Sequence, residues 1–320
     1  MFNVLIVGGG NIGFRHFEGL LSAGLPLNIY VIDPDPEALN RIKNKFHQAA
    51  VNHISCHSAE SLIAIPDKID LCIIATNSKV RLEAVEQVLK KTSVAYLILE
   101  KVLFQKKKDY EIMSQLLKDF HVRGCWVNCP LRTLPIYQEI KKKITAKVNI
   151  SVDYKHFGIG CNSIHQLDLL SYLTNSQDII VTTEQLESVV ESKRKGYLEV
   201  TGTLKASTKH GSILTIAANS QSPEEYCITF DFGHERWTVF PLKETCKVEL
   251  IHTNTHYEKA IQYPKQSCLT SLFAKAILVS GVCLLPDYET SKQLHLALLA
   301  PLNDFFSKAL GYEVEECPIT

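Results

Sequence analysis

Short apolar runs alternate with amphipathic stretches through the first third of the chain. Residues 4–7, 29–32, 71–75 and 96–99 are almost wholly apolar and brief, as buried strands are. Between them, residues 13–23, 37–46 and 78–90 place apolar side chains at helical spacing. Strands that alternate with helices predict right-handed crossovers and a parallel sheet. Residues 109–120 read as a further helix and 125–128 as a further strand, so a first domain is expected over residues 1–125.

The pattern then changes. Residues 134–144 are helical with a basic face, 148–156 alternate as a half-buried strand, and 162–174 form a second helix. Period-2 segments follow within residues 186–252, at 198–206, 212–218, 226–232, 236–240 and 247–251. Gly211, Ser222-Pro223 and Gly233-His234 separate them, as hairpin connections would. Helices at 267–280 and 288–310 close the chain. The expected fold class is α/β: an N-terminal Rossmann domain, then residues 126–320 built on a large, open, mostly antiparallel sheet. The final helices are free to pack back on the first domain. An open sheet leaves one face to cover, so a homodimer or homotetramer is expected.

The run Gly8-Gly9-Gly10-Asn11-Ile12-Gly13 joins the first strand to the first helix. Gly8, Gly10 and Gly13 form G-x-G-x-x-G in the strand–turn–helix setting that gives the motif physical meaning. The first glycine permits a tight turn, the second lets the backbone approach a pyrophosphate, and the third lets the helix pack closely. The helix N-terminus offers unpaired N–H groups to the anion. The second strand ends in Asp33, about 20 residues beyond, where a carboxylate would accept hydrogen bonds from an adenosine ribose. A glycine turn beside a surface Asp is the plainer reading. A 2′-phosphate would be repelled by Asp33, and Pro34-Asp35-Pro36 supplies no cation, so NAD is favoured; Arg41 and Lys43 further along keep NADP open.

A length of 320 residues suits two domains. Lys plus Arg balance Asp plus Glu at 34 each, so no net field points to nucleic acid or an anionic membrane. The triplets at 106–108 and 141–143 fit solvated faces. No apolar run reaches the ~18 residues of a membrane helix. No charged segment leads an apolar stretch at the start, so no secretory signal is expected and a cytoplasmic location is. Ten cysteines without C-x-x-C read as reduced thiols, and Cys125-x-x-x-Cys129 lacks a second ligand pair, so no metal is expected.

Three places combine chemistry with position. Glu100-Lys101 ends the strand at 96–99, on the side where open parallel sheets bind ligands. A lysine there can donate to a substrate oxygen; a solvated strand-end pair is the alternative. Thr76-Asn77 ends the preceding strand and suits either the cofactor or a helix cap. His165 follows a glycine-rich stretch and enters an apolar helix, where it can exchange a proton near neutral pH. Asp168, three residues on, shares its helical face and could orient it; a buried structural histidine is the alternative.

Together these motifs resemble the Gfo/Idh/MocA family of NAD(P)-dependent sugar and inositol dehydrogenases. The resemblance runs through Gly8 to Gly13, Ala75-Thr76-Asn77, Leu99-Glu100-Lys101, the segment Leu131-Arg132-Thr133-Leu134-Pro135-Ile136-Tyr137, and His165-Gln166-Leu167-Asp168. It implies a cleft in which Lys101 polarises the reacting oxygen and His165 is the acid–base residue. It implies cofactor contacts from Gly8, Gly10, Asn11, Ile12, Gly13, Asp33, Thr76, Asn77 and Glu100. Substrate contacts are expected from Arg132, Cys161, Asn162, Ser163 and Asp168. Many members have Glu-Lys-Pro where this chain has Glu100-Lys101-Val102. The family's usual Asp, four residues before the histidine, is Cys161 here, and a neutral thiol cannot replace a carboxylate in a proton relay.

The expected activity is hydride transfer to or from a secondary alcohol of a sugar or nucleotide sugar, with NAD as cofactor. The Cys-Asn-Ser-Ile-His and Glu-Lys-Val-Leu-Phe segments resemble a subgroup tied to bacterial surface-sugar biosynthesis. Two other outcomes fit the same residues: NAD-assisted epimerisation or elimination, and a dinucleotide-binding sensor that has lost catalysis.

Overall fold

The computed structural model describes residues Met1–Thr320. They form two compact units, Met1–Asn128 with Pro264–Ser291, and Cys129–Tyr263 with Lys292–Thr320. The division falls three residues later than the sequence pattern suggests, and the segment 264–291 belongs to the first unit.

In the first unit, β1 (Phe2–Val7), α1 (Asn11–Leu21), β2 (Leu27–Ile32), α2 (Pro36–Ala49), β3 (Ile54–Ala59) and β4 (Lys68–Ile74) come in order. They are followed by α3 (Arg81–Lys91), β5 (Ser93–Leu99), α4 (Lys107–Asp119) and β6 (Gly124–Val127). All six strands are parallel, in the order β3-β2-β1-β4-β5-β6. Helices cover both faces of such a sheet, which is why Val4–Ile6, Leu71–Ile74 and Leu97–Leu99 are continuous apolar runs with almost no exposure. The chain order reverses between β1 and β4, and that switch point opens a crevice at the C-terminal ends of these strands.

The second unit holds α5 (Pro135–Lys143), β7 (Asn149–Asp153), α6 (Ile159–Thr174), β8 (Ile179–Glu191), β9 (Leu198–Thr208) and β10 (Ile213–Ala218). It continues with β11 (Ile228–Asp231), β12 (Glu235–Phe240), β13 (Thr245–Leu250) and β14 (Thr255–Ala260). Its sheet runs β14-β13-β12-β11-β7-β10-β9-β8, antiparallel except for the β7–β10 pair. Ile150, Val152, Leu214, Ile216, Phe230, Trp237 and Val248 line one buried face. On the other face one register row runs Thr238, Thr229, Ser151, Thr215, Lys205, so the surface turned to water is rich in hydroxyls.

Two helices close the chain: α7 (Gln266–Ser280), in the first unit, and α8 (Tyr288–Leu310). α7 lies directly against α1. A Cβ on Gly19 would come within 2.3 Å of Ser267 O and 2.7 Å of Thr270 Cβ, so only glycine permits this approach. No helix is long and apolar enough to cross a membrane.

Three strands lie outside the sequence pattern: β3, β14 and the first half of β8. β3 and β14 are edge strands, and β14 is exposed at nearly every position, so little alternation marks them. β8 is long and bulged, with register shifts between Thr182 and Gln185 and between Leu186 and Ser188, which break the period of two. α6 begins at Ile159 rather than 162, because Gly158 at φ 70° starts it and a carboxylate from another strand caps it. α3 begins at Arg81 rather than 78, since residues 78–80 form a turn ahead of it.

Replacing Gly19 by Ala should force α1 and α7 apart. A loss of about 1–3 kcal/mol is expected, as for other overpacked interfaces. It would be read as a lowered thermal midpoint of the first unit's transition, and an unchanged midpoint would contradict the close packing.

Candidate functional site

The glycine loop is built by steric demand. Gly8 has φ 96°, and a Cβ there would lie 2.9 Å from the carbonyl carbon of Ala75. A Cβ on Gly13 would sit 1.7 Å from Gly8 O, so any side chain would push α1 off the turn. A Cβ on Gly10 would meet nothing within 4 Å, which leaves open space where an anion can approach the backbone. Gly10 is also the N-cap of α1, and no side chain caps it, so the leading N–H groups stay available. A cradle that excludes side chains on two sides and is open on the third fits a pyrophosphate.

Asp33 ties this loop to the end of β2. Its Oδ2 accepts from Gly9 N at 2.6 Å and its Oδ1 from Asp35 N at 2.8 Å, and each oxygen keeps a further lone pair for a ribose hydroxyl. The two basic residues beyond it part company. Arg41 returns to the loop, where Nη1 donates to Asn11 Oδ1 at 3.2 Å and the guanidinium stands 5.8 Å from the Phe14 ring centre. Lys43 lies instead near Cys56 on β3, where burial pushes the thiol up to about 11 against the pull of that ammonium.

The ends of β4 and β5 lie side by side, with Ile74 in register with Leu99. Asn77 Oδ1 accepts from Lys79 N at 3.1 Å and Val80 N at 3.4 Å, so it caps the turn before α3. The Thr76 hydroxyl is buried with no hydrogen-bond partner. Glu100 is 6% exposed and faces inward: Oε1 lies 2.8 Å from His16 Nε2 and accepts from Asn128 Nδ2. His16 Nδ1 in turn meets Thr270 Oγ1 of α7 at 2.9 Å. Glu100 is thus a buried anchor beneath the half-buried Lys101. The Lys101–Val102 peptide is cis.

Arg81 completes this side. It is 1% exposed, and its guanidinium donates to the carbonyls of Thr76, Val102 and Leu103, the last at 2.7 Å. Burial works to raise the Glu100 pKa, but the hydrogen bond and charge of His16, the Asn128 amide and the Arg81 charge outweigh it. The net position is below the ordinary carboxylate range.

In the second unit, α6 presents Cys161, Asn162, Ser163, His165 and Asp168. The buried Glu199 of β9 accepts from Gly160 N at 2.7 Å and Cys161 N at 2.9 Å, capping the helix. Asn162 Nδ2 donates to Phe157 O, and the fully buried Ser163 hydroxyl has no hydrogen-bond partner. Arg132 and Asp168 meet in a two-pronged pair, Nε to Oδ2 at 2.9 Å and Nη2 to Oδ1 at 2.6 Å, with Asp168 1% exposed. The Arg132 guanidinium also lies 5.3 Å from the Tyr172 ring centre. Asp168 therefore holds Arg132 in place, a partnership that the i, i+3 spacing to His165 did not suggest.

His16, Arg81, Asn128 and Glu199 were not singled out by the sequence. Two of them left a trace. Arg81 heads the buried stripe of α3 with Val85, Val88 and Leu89, where an apolar side chain is expected. Glu199 and Val200 are both buried, which breaks the alternation of β9.

Residues 4–115 match the TrkA-N domain. No curated protein matches the chain. Solved structures resemble it over its full length. UDP-N-acetylglucosamine 3-dehydrogenase GnnA from Acidithiobacillus ferrooxidans is 12% identical over 98% of each chain, with a TM-score of 0.70. Biliverdin reductase from Synechocystis, in complex with biliverdin and NADP+, is 15% identical over 97% of this chain and 99% of its own, at 0.69. A super-repressor mutant of Gal80p from Saccharomyces cerevisiae is 12% identical over 97% and 96%, at 0.70. At such identities the likeness is one of fold: a parallel Rossmann-like sheet followed by a second, mostly antiparallel sheet.

A carboxyl whose folded pKa is depressed stabilises the protein above its unfolded value, about 4.3 for Glu, and loses that contribution as pH falls through the folded value. Thermal midpoints should hold from neutral pH to about 5 and then fall. Glu100→Gln should lower the midpoint at pH 7 and flatten the acid limb; an acid limb parallel to wild type would show that Glu100 is not held as an anion.

Proposed function

We propose that the chain is an NAD(P)-dependent oxidoreductase that moves a hydride to or from a secondary alcohol of a sugar or nucleotide sugar. The observation behind this reading is the glycine cradle at the β1–β4 switch point, open at Gly10 and bounded by the Asp33 carboxylate on Gly9. Gly8, Gly10 and Gly13, with the N–H groups of Asn11 and Ile12, would hold the pyrophosphate. Asp33 would take the adenosine ribose, which favours NAD. Arg41, held at Asn11, supplies a cation beside the same loop, so NADP remains a partner of the same site.

The nicotinamide supplies the hydride chemistry when bound. This chain's part is to bind, orient and move a proton. His165 would take the hydroxyl proton on oxidation and return it on reduction. Lys101 would donate to the reacting oxygen and favour its ionised form. Arg132, fixed by Asp168, would hold the substrate through its remaining donors, and Asn162 and Ser163 would meet hydroxyls.

A second reading is a dinucleotide-binding regulator without turnover. Cys161 at the position of the family's carboxylate motivates it, and the Gal80p likeness shows that a repressor can share this fold.

Fluorescence titration should give saturable NADH binding. Removing an ionised hydrogen-bond partner costs about 1.5–3 kcal/mol, so Asp33→Ala should weaken NADH about ten- to a hundredfold. Arg41→Ala should weaken NADPH selectively. A screen of UDP-sugars for NADH production follows, in which His165→Ala should lower kcat by about 10²–10⁴. Full turnover by that variant would remove the acid–base assignment. Dinucleotide binding with no turnover across the screen would favour the regulator.

A further inference from the structure

We propose that Arg81 is a positioning residue that shapes the nicotinamide end of the dinucleotide site, by fastening the exit of β4 to the segment after Lys101. The inference rests on the dinucleotide reading given above.

Arg81 is the first residue of α3 and is 1% exposed. A guanidinium keeps its charge at any accessible pH, and burying it is costly unless its donors are used. Here the two terminal nitrogens donate to three main-chain carbonyls on two different loops: Nη2 to Thr76 O, and Nη1 to both Val102 O and Leu103 O. Those loops leave adjacent parallel strands at their C-terminal ends, the ligand-binding side of such a sheet. The planar fork is what allows one side chain to span them. A lysine is a point charge on a flexible stem and would reach one.

Lys101 stands between two anchors. Before it, Glu100 is held by His16 and Asn128; after it, Val102 and Leu103 are wholly buried and held by Arg81. The backbone on both sides of Lys101 is thus fixed from beneath by buried polar groups, while the adenosine end depends on Asp33 and the glycine loop. The two ends of the cofactor site therefore rest largely on different residues, and two of the three Arg81 acceptors, Val102 O and Leu103 O, lie at the Lys101 end.

Calorimetric titration of wild type, Arg81→Lys and Arg81→Met with NADH and with ADP-ribose, which lacks the nicotinamide, tests this. ADP-ribose affinity should stay within about threefold of wild type in both variants. NADH affinity should fall about tenfold or more in Arg81→Met, and by less in Arg81→Lys. Equal losses for the two ligands, or no loss for NADH, would overturn the role of Arg81 while leaving the dinucleotide site intact. Failure of wild type to bind either ligand would overturn the dinucleotide reading and this one with it. Should Arg81→Met fail to fold, the charge-preserving Arg81→Lys variant carries the same comparison.

Discussion

The structure of the first unit depends on how closely α1 can be seated. Gly13, His16 and Gly19 recur at three-residue spacing on one side of this helix, and each makes a contact that a larger or apolar residue would deny. Gly13 lets the first turn close over Gly8 O, which shapes the anion cradle. His16 then reaches Glu100 at the end of β5, and Gly19 admits α7. The loop that would hold a pyrophosphate and the anchor beneath Lys101 are thus set by one helix. A displacement of α1 would disturb both ends of the cofactor site together.

Buried charge is arranged differently in the two units. In the first, Glu100, His16 and Arg81 are each 6% exposed or less, and most of their donors and acceptors are met by an amide, a hydroxyl and main-chain carbonyls as well as by one another. In the second, Arg132 and Asp168 form a two-pronged pair, while Glu199 spends its charge on the first turn of α6. Effective penalties for buried ions amount to several kcal/mol each, so such groups persist only where partners offset them.

How much of this was legible in the sequence follows from the range of the interactions. The four central strands of the first sheet are buried on both faces, so they are written as apolar runs, and the glycine turn is fixed by contacts a few residues apart. The edge strands β3 and β14 lack a second buried face and left little pattern. The return of α7 to the first unit depends on Gly19 meeting residues some 250 positions away, which no local period encodes. Asn77 was legible as a cap, because its partners lie two and three residues on, whereas Asp33, Glu100 and Asp168 were visible as residues but their partners were not. Asp168 meets Arg132 across 36 residues, and Glu100 meets His16 across 84.

The clearest case is the start of α6. Read along the chain, the segment lacks a carboxylate, since Cys161 stands where the family resemblance expects one. In three dimensions Glu199 brings a carboxylate to the N–H of that very residue from β9, and Gly158 and Gly160 leave room for it: Cβ atoms there would lie 3.3 and 3.0 Å from its oxygens. An acid in the first turn suits the helix dipole and satisfies two N–H groups that otherwise have no partner. The negative charge at the head of the helix bearing His165 is therefore supplied across space by a neighbouring strand. A motif comparison registers only the Cys at position 161, because the capping residue lies 38 positions away and its signal is a single break in strand alternation.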